Sequence, residues 1–439
     1  MKIFNLELTR EQTRLIVIII GVILVFGLVV VGFIYSRRAT GPSGILEFWG
    51  LYDDAATWQP FISAFNKEHR GVTIRYTQMN PETYERDLLD ALAAGRGPDI
   101  MMFHSSWLPK HGNKISPLPE SMMTMRQFQE TFPDVAFTNF VSQNRIFALP
   151  LWTDALAMYY NKDLFNIAGI ATPPANWDEF VQNVVKLSTK DRFGNLTKVA
   201  SALGTSSNVN NASDLLSLIM LQVGARMISD DGDRAAFDQT IAVETAKFNP
   251  GATALRFYTD FSNPELPVYT WNASQPNSLE AFIQGKVAVV FDYNSAQSQI
   301  KRRSPNLRLG IAPVPQPKNA EKVVNYSNFW AYSVPTASQN SEVAWQFLVY
   351  MTQKDIERAY VDYVERVASR RDILQIQQNS PDLGVFADAI LSAVNWYQVD
   401  SKEIDKIFRD MIDEVVLGGA KPDDAIGNAA DKVSLLMSR

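Results

Sequence analysis

From Ile45 onward, short apolar runs alternate with stretches of helical spacing, and that alternation restricts the chain to very few architectures. Ile45–Trp49 reads as a strand. Ala55–His69 sets Trp58, Phe61, Ile62 and Phe65 at helical intervals. Val72–Tyr76 repeats with period two, Pro81–Ala94 predicts a helix with proline in its first turn, and Asp99–Phe103 predicts a third strand. Parallel strands need crossover connections of one hand, so strand–helix–strand–helix–strand predicts an α/β layer around parallel β-structure.

The pattern persists along the chain. Leu156–Tyr160, Val287–Asp292, Leu307–Ile311 and Phe329–Val334 read as strands. Asn176-Trp177-Asp178-Glu179 has the form of a capping box opening a helix that reaches Leu187. Helices are expected over Asp214–Val223, Gly251–Phe261 and Ser295–Arg302, and from Ser338 the chain reads as nearly all helix, through Ile404–Val416 and Pro422–Met437. A length of 439 residues suits about three domains, or two large lobes.

Ahead of this body, Leu15–Tyr35 holds 21 residues without a charge. At ~1.5 Å per residue a helix of that length spans the ~30 Å hydrocarbon core. The run exceeds the ~7–15 residues of a cleaved signal and is bounded by Arg14 and by Arg37-Arg38, which favours a retained single-pass anchor over a signal cut near Ala39-Thr40-Gly41. Residues 1–14 are then a short tail, 36–44 a linker, and a small N-terminal tail inside with a large domain outside the cell membrane is the expected topology.

Composition removes several classes of function. The net charge of −6 leaves no basic field, which argues against a nucleic-acid partner. Cysteine is absent and histidine occurs three times, so thiolate chemistry is excluded and zinc or histidine catalysis is poorly supplied. No phosphate-binding glycine loop, nucleophile elbow, zinc-helix motif or calcium loop is present, and Asp230-Asp231-Gly232-Asp233 lacks a calcium loop's spacing. No cofactor and no metal are expected.

Several phrases carry more. They are Gly95-Arg96-Gly97-Pro98-Asp99-Ile100, the run Leu149-Pro150-Leu151-Trp152-Thr153-Asp154 leading to Tyr159-Tyr160-Asn161-Lys162-Asp163-Leu164-Phe165, Ala281-Phe282-Ile283-Gln284-Gly285-Lys286 and Ile311-Ala312-Pro313-Val314-Pro315. In this order they resemble the extracellular solute-binding proteins of ABC importers, in the cluster that includes maltose-binding protein, from about Ile45 to the C-terminus. The resemblance implies two α/β lobes of the periplasmic-binding-protein type with a ligand cleft between them and hinge closure around the solute. It implies lobe 1 from 45–153 plus 329–362 and lobe 2 from 154–328 plus 371–439, with crossings near Leu151–Asp154, Tyr326–Ala331 and Val361–Arg371. It also implies permease subunits as partners and no enzymatic activity.

Sugars present C–H faces that pack on aromatic rings and hydroxyls that take directional hydrogen bonds. Candidate ligand contacts are therefore the mixed aromatic and polar clusters at strand ends and crossings. Trp49 and Asp53 follow the first strand, with core packing for Trp49 and helix capping for the Asp53-Asp54 pair as the alternatives. Phe103, Ser105 and Trp107 follow the third. Trp152 and Asp154 lie at the first crossing, Tyr293 after Val287–Asp292, Trp330 at the second crossing, Arg370 in the Ala368-Ser369-Arg370-Arg371 turn, and Trp396 in the helical C-terminal part. The aromatic supply leans towards carbohydrate. Two rivals stay open: a glycoside-processing enzyme using two of Asp53, Asp154 and Asp292, and a ligand sensor acting through a membrane partner.

Overall fold

The computed structural model describes residue 10 and residues 44–192, 196–243 and 246–438. The expected span over 15–35 lies outside the described residues, as do the tail, Arg10 apart, and the linker up to its last residue. Among the described residues no helix is long and apolar enough to cross a membrane.

Two five-stranded sheets organise two lobes. The first has the order Val72–Gln78, Gly44–Gly50, Ile100–His104, Trp330–Pro335, Ile115–Ser116. Its first three strands are parallel, as the alternation predicts. The second has the order Leu309–Ala312, Ala157–Asn161, Val287–Asp292, Leu196–Ser201, Thr189–Lys190. Both sheets are mixed, because Trp330–Pro335 and Ala157–Asn161 run antiparallel to their neighbours Ile100–His104 and Val287–Asp292. These are the strands that follow a crossing. Trp330 pairs with His104 and Ala157 with Asp292, so each enters its sheet beside the carboxyl end of its neighbour. That geometry sets the crossings, and the loops that leave the neighbouring strands, along one seam between the lobes.

Local chemistry explains the element ends. Asp54 accepts the Thr57 amide at 2.9 Å and caps Ala55–Glu68. Asn176 accepts the Glu179 amide at 2.9 Å, while the Glu179 carboxylate reaches back to the Ala175 amide, one residue further than a strict capping box. Pro81 does not open a helix. It sits in a turn closed by Thr83 N–H to Asn80 O at 3.2 Å, and the helix begins at Tyr84. The Asn80 side chain, accepting the Glu82 amide, stabilises that turn in competition with the helix.

Phe48, Trp58, Phe65, Tyr332 and Phe347 form the aromatic heart of the first lobe, with the Phe48 and Trp58 rings 4.7 Å apart. Phe180, Phe291, Leu216 and Phe261 pack the second. Each fully buried ring contributes roughly 1.5–3 kcal/mol. The long C-terminal helices Ser401–Val416 and Pro422–Met437 pack on each other and on Pro250–Asp260, closing the second lobe.

Three crossing segments lie side by side. Thr153 bridges to Val367 and Ala155 to Ser327. Thr153 Oγ1 donates to Ala368 O at 2.7 Å, and Ser369 Oγ donates to Pro150 O at 2.8 Å. Glu357, fully buried on the helix Lys354–Val364, accepts the amides of Ser369 at 2.8 Å and Arg370 at 2.9 Å. Burial pushes its carboxyl up to about 8.

Candidate functional site

Tyr52, Trp152, Trp330 and Tyr293 surround a cavity of about 240 Å³ between the lobes, together with Asp154, Asn211, Asn294, Asn328 and Arg366. Each aromatic is placed by a different segment. Tyr52 follows the first strand. Trp152 comes from the first crossing, Trp330 from the start of the last strand in its sheet, and Tyr293 from the end of Val287–Asp292. The rings meet edge to face: Tyr52 lies 6.2 Å from Trp152 and 6.4 Å from Trp330. Trp330 is steadied from behind by Trp107 at 5.1 Å, His104 at 4.8 Å and Tyr84 at 5.9 Å.

Arg366 supplies the cationic group. Its guanidinium lies 4.9 Å from the Trp152 ring centre and is gripped from below by Asp53, through Nη2 to Oδ1 at 2.8 Å and Nη1 to Oδ2 at 2.9 Å. Tyr360 OH donates to the same carboxylate at 2.7 Å. The pair is charge-neutral and buried, so Arg366 is held in one orientation. Asp53 thus positions an arginine and does not itself line the cavity. Gly50 is needed nearby, because a Cβ there would collide with the Tyr76 ring, whose hydroxyl donates to Asp53 O.

Asp154 takes a different state. Its Oδ1 accepts the amides of Ala155 at 2.9 Å and Asn294 at 2.8 Å, yet desolvation dominates and pushes its carboxyl up to about 7, with buried Asp292 adding to the rise. Asp292 is raised by burial too, although the Asn210 and Asn211 side chains donate to it.

A hydrogen-bonded network links the lobes beside this cavity. His104 Nε2 meets Asn328 Oδ1 at 2.6 Å, Asn328 Nδ2 donates to Asp214 Oδ2 at 3.0 Å, and Tyr293 OH donates to the same oxygen at 2.7 Å. Burial pushes the His104 imidazole down to about 4, so it is neutral near pH 7. With Nδ1 at 2.7 Å from Ser106 Oγ, the neutral ring donates through Nε2.

Two further cavities adjoin the first. One of about 310 Å³ shares Asn211 and Asn328 with it and is lined by Ser105, Ser327, Trp396, Asp405 and Arg409 among others. The next, of about 430 Å³, shares Ser105, Ser106, Asn395, Trp396 and Gln398 with the second and extends to Asn139 and Tyr397. At the rim, charges meet across the lobes: Lys110 Nζ lies 2.9 Å from Glu85 and 2.7 Å from Asp400, and Lys402 lies 3.1 Å from Glu85. Hydrogen bonds from His111, Lys110 and Lys402 hold the Glu85 carboxyl far below its ordinary range.

The candidates named from the sequence therefore divide. Trp152, Asp154, Tyr293 and Trp330 come together around the first cavity, and Ser105 and Trp396 line the other two. Phe103 is fully buried in the core and Trp107 packs behind Trp330, so neither lines these three cavities. Trp49 packs against the core of the first lobe, and its neighbour Tyr52 reaches the cavity instead. Arg370 is turned away, bound to Asp372 at 3.0 Å and to Thr352 O at 2.9 Å. Arg366, four residues earlier, occupies the place expected of it. Glu365 precedes it with φ of 54°, a left-handed residue that ends the helix and redirects the chain. The amides Asn294 and Asn328 stand in the same strand-end and crossing clusters as Tyr293 and Trp330, whereas Asn211 lies in a small-polar loop with no periodic pattern to mark it.

A sequence-family model described as bacterial extracellular solute-binding protein matches residues 49–357. A binding protein of Brucella abortus (strain 2308) is 25% identical over 393 residues, covering 86% of this chain and 88% of its own length. The galactooligosaccharide-binding protein of Bacillus subtilis (strain 168) is 19% identical over 341 residues, covering 77% of this chain and 76% of its own. Among solved structures, the sugar-binding protein MalE of Xanthomonas citri superposes with a TM-score of 0.75 at 18% identity, covering 90% of this chain and 98% of that one. The family match begins in the first strand and ends in the helix that precedes the third crossing, so it takes in two crossings and every strand of the two sheets after the first, and this chain belongs to the bacterial extracellular solute-binding proteins.

Proposed function

We propose that this protein is the membrane-tethered substrate-binding subunit of an ABC importer, capturing a carbohydrate between its lobes and delivering it to permease subunits. The observation that carries the carbohydrate reading is the first cavity itself, where Trp152, Trp330, Tyr52 and Tyr293 stand among Asp154, Asn211, Asn294 and Asn328. Rings for C–H faces and amide or carboxyl groups for hydroxyls are the two surfaces a sugar needs. Arg366 is neutralised by Asp53, so the cavity offers no net positive charge for a phosphate. Relatives support the same class: a galactooligosaccharide-binding protein, a multiple sugar-binding protein of Streptococcus mutans, and a Thermotoga lettingae solute-binding protein bound with α-D-tagatose.

In this reading the lobes correspond to 45–153 with 329–362 and 154–328 with 371–439. Closure is driven by ligand contacts to both, since a solute shifts the open–closed balance only by its differential affinity for the two states. The uncharged run Leu15–Tyr35 would hold the domain at the outer face of the membrane. Thermal unfolding against mono- and oligosaccharides, polyols, amino acids and glycerol phosphates tests the proposal. A solute at ~100 times its Kd should stabilise the protein by roughly 2.7 kcal/mol. A shift with saccharides that are recovered unchanged supports it; a shift confined to amino acids or glycerol phosphates overturns it.

A further inference from the structure

We propose that the second lobe carries a docking groove for an extended, acidic segment of a partner protein, at the end of its sheet farthest from the cleft. A cavity of about 620 Å³ lies there, larger than any of the three at the seam. Its walls come from residues 196–199, from Gly285, Lys286 and Ala288, and from the helices Lys162–Ile167 and Trp177–Leu187. The strand Val287–Asp292 runs from this cavity to the cleft, so about 17 Å of strand separates the two. The walls are apolar at Leu164, Leu187, Leu196 and Val199, and Ile167, 71% exposed, carries that apolar surface out to solvent. Three exposed lysines, Lys186, Lys198 and Lys286, stand around it on three different segments.

Among the described residues none of these lysines forms an ion pair, and no aspartate or glutamate lines the cavity. Asp163, on the neighbouring helix, is bound to Arg308 at 3.2 Å. In a chain of net charge −6 this is a local reversal of sign, and it complements an anionic partner. Strand register says which kind of anion. Leu196–Ser201 pairs with Val287–Asp292 only from Val199 onward, so residues 196–198 overhang that neighbour. On their other side they meet Thr189–Lys190. The overhang leaves their backbone without a strand partner on the cavity side, and an extended peptide laid in line with Val287–Asp292 would supply one. A lipid chain or a free anion offers no such ladder. Every wall belongs to one lobe, so the groove keeps its shape as the lobes move, and a partner docked there leaves the cleft open to solute.

The test is selection of a displayed library of random short peptides on the full chain in phosphatidylcholine nanodiscs, followed by fluorescence anisotropy of the peptides recovered. They are expected to carry aspartate or glutamate at alternate positions with apolar residues between, the period of a strand. Lys186→Glu, Lys198→Glu and Lys286→Glu change exposed positions, so the triple variant should keep the parent's unfolding temperature. The selected peptides should bind it about tenfold or more weakly. N-methylation of alternate peptide amides should cost about tenfold as well, because it removes ladder hydrogen bonds and leaves the charges in place. Peptides without an acidic bias, or equal binding to the triple variant, overturn the proposal, and the lysines then only guard an open strand edge. N-methylated peptides that bind as well as their parents overturn the strand pairing. If no peptide is recovered and the chain instead cosediments with phosphatidylglycerol vesicles through the three lysines, the groove serves a membrane surface and the proposal fails.

Discussion

At the residue scale, what distinguishes this site is how each polar group is held. Asp154 accepts two amide hydrogens and yet is starved of water, which raises its carboxyl to about 7. A sugar hydroxyl donating to it would favour the ionised form, so binding releases a proton. Affinity should therefore rise with pH through about 7 and fall towards about tenfold per unit below it. Titrations at pH 5.5, 7 and 8.5 check this, and Asp154→Asn should flatten the profile. The Arg366–Asp53 pair makes a second prediction. Arg366→Gln leaves a buried carboxylate without its partner and should cost about 3–5 kcal/mol in denaturant unfolding. Adding Asp53→Asn should recover most of that loss, and a double variant as unstable as the single one would show that packing dominates.

At the scale of elements, most boundaries follow from local chemistry and were readable. Val287–Asp292 and Pro422–Met437 appear over the residues their patterns predict, and Pro250 takes the first position of its helix behind an Asn249 cap. The failure at Pro81 is also local, a competition between a turn and a first helical turn. Crossing segments are another matter, because they have no periodicity and are ordered by contacts from elsewhere. Glu357 shows how. Its raised carboxyl is mostly protonated at pH 7, where it serves as an acceptor for two buried amides. Glu357→Gln should thus leave the unfolding temperature at pH 7 nearly unchanged, whereas Glu357→Ala should cost about 2–4 kcal/mol. Since the folded state prefers the protonated acid, stability should decline as pH rises from below the ordinary glutamate range through about 8; that decline should vanish in Glu357→Gln.

For the whole molecule, the contacts between the lobes include the His104–Asn328–Asp214 network inside and the Glu85–Lys110–Asp400–Lys402 charges at the rim. The rim is where closure can be tuned without touching the cavity. Asp400→Asn keeps the cap on Ser401–Val416 and removes the bond to Lys110. A partly exposed pair is worth up to ~1 kcal/mol, so ligand dissociation should quicken by up to about fivefold. Stopped-flow tryptophan fluorescence would report it, and the parent's dissociation rate should approach the variant's in high salt. A variant whose ligand leaves at the parent's rate would assign the charges to surface solvation.

Sequence alone determined the α/β class, the phrases that carry the family resemblance, and the four residues Trp152, Asp154, Tyr293 and Trp330 that now share a cavity. Tyr293 and Trp330 are legible because they stand at strand ends, which periodicity locates, and Trp152 and Asp154 because the family resemblance marks the first crossing. The tertiary structure alone decided that Arg366 and not Arg370 faces the cleft, that Tyr52 and not Trp49 reaches it, and that Phe103 and Trp107 support other rings. The reason is geometric. Neighbouring residues in an extended segment point to opposite faces, and a single left-handed residue such as Glu365 re-aims everything after it. Which of two aromatics three residues apart, or of two nearby arginines, lines the cavity therefore depends on a rotation of the backbone, and residue type does not record it.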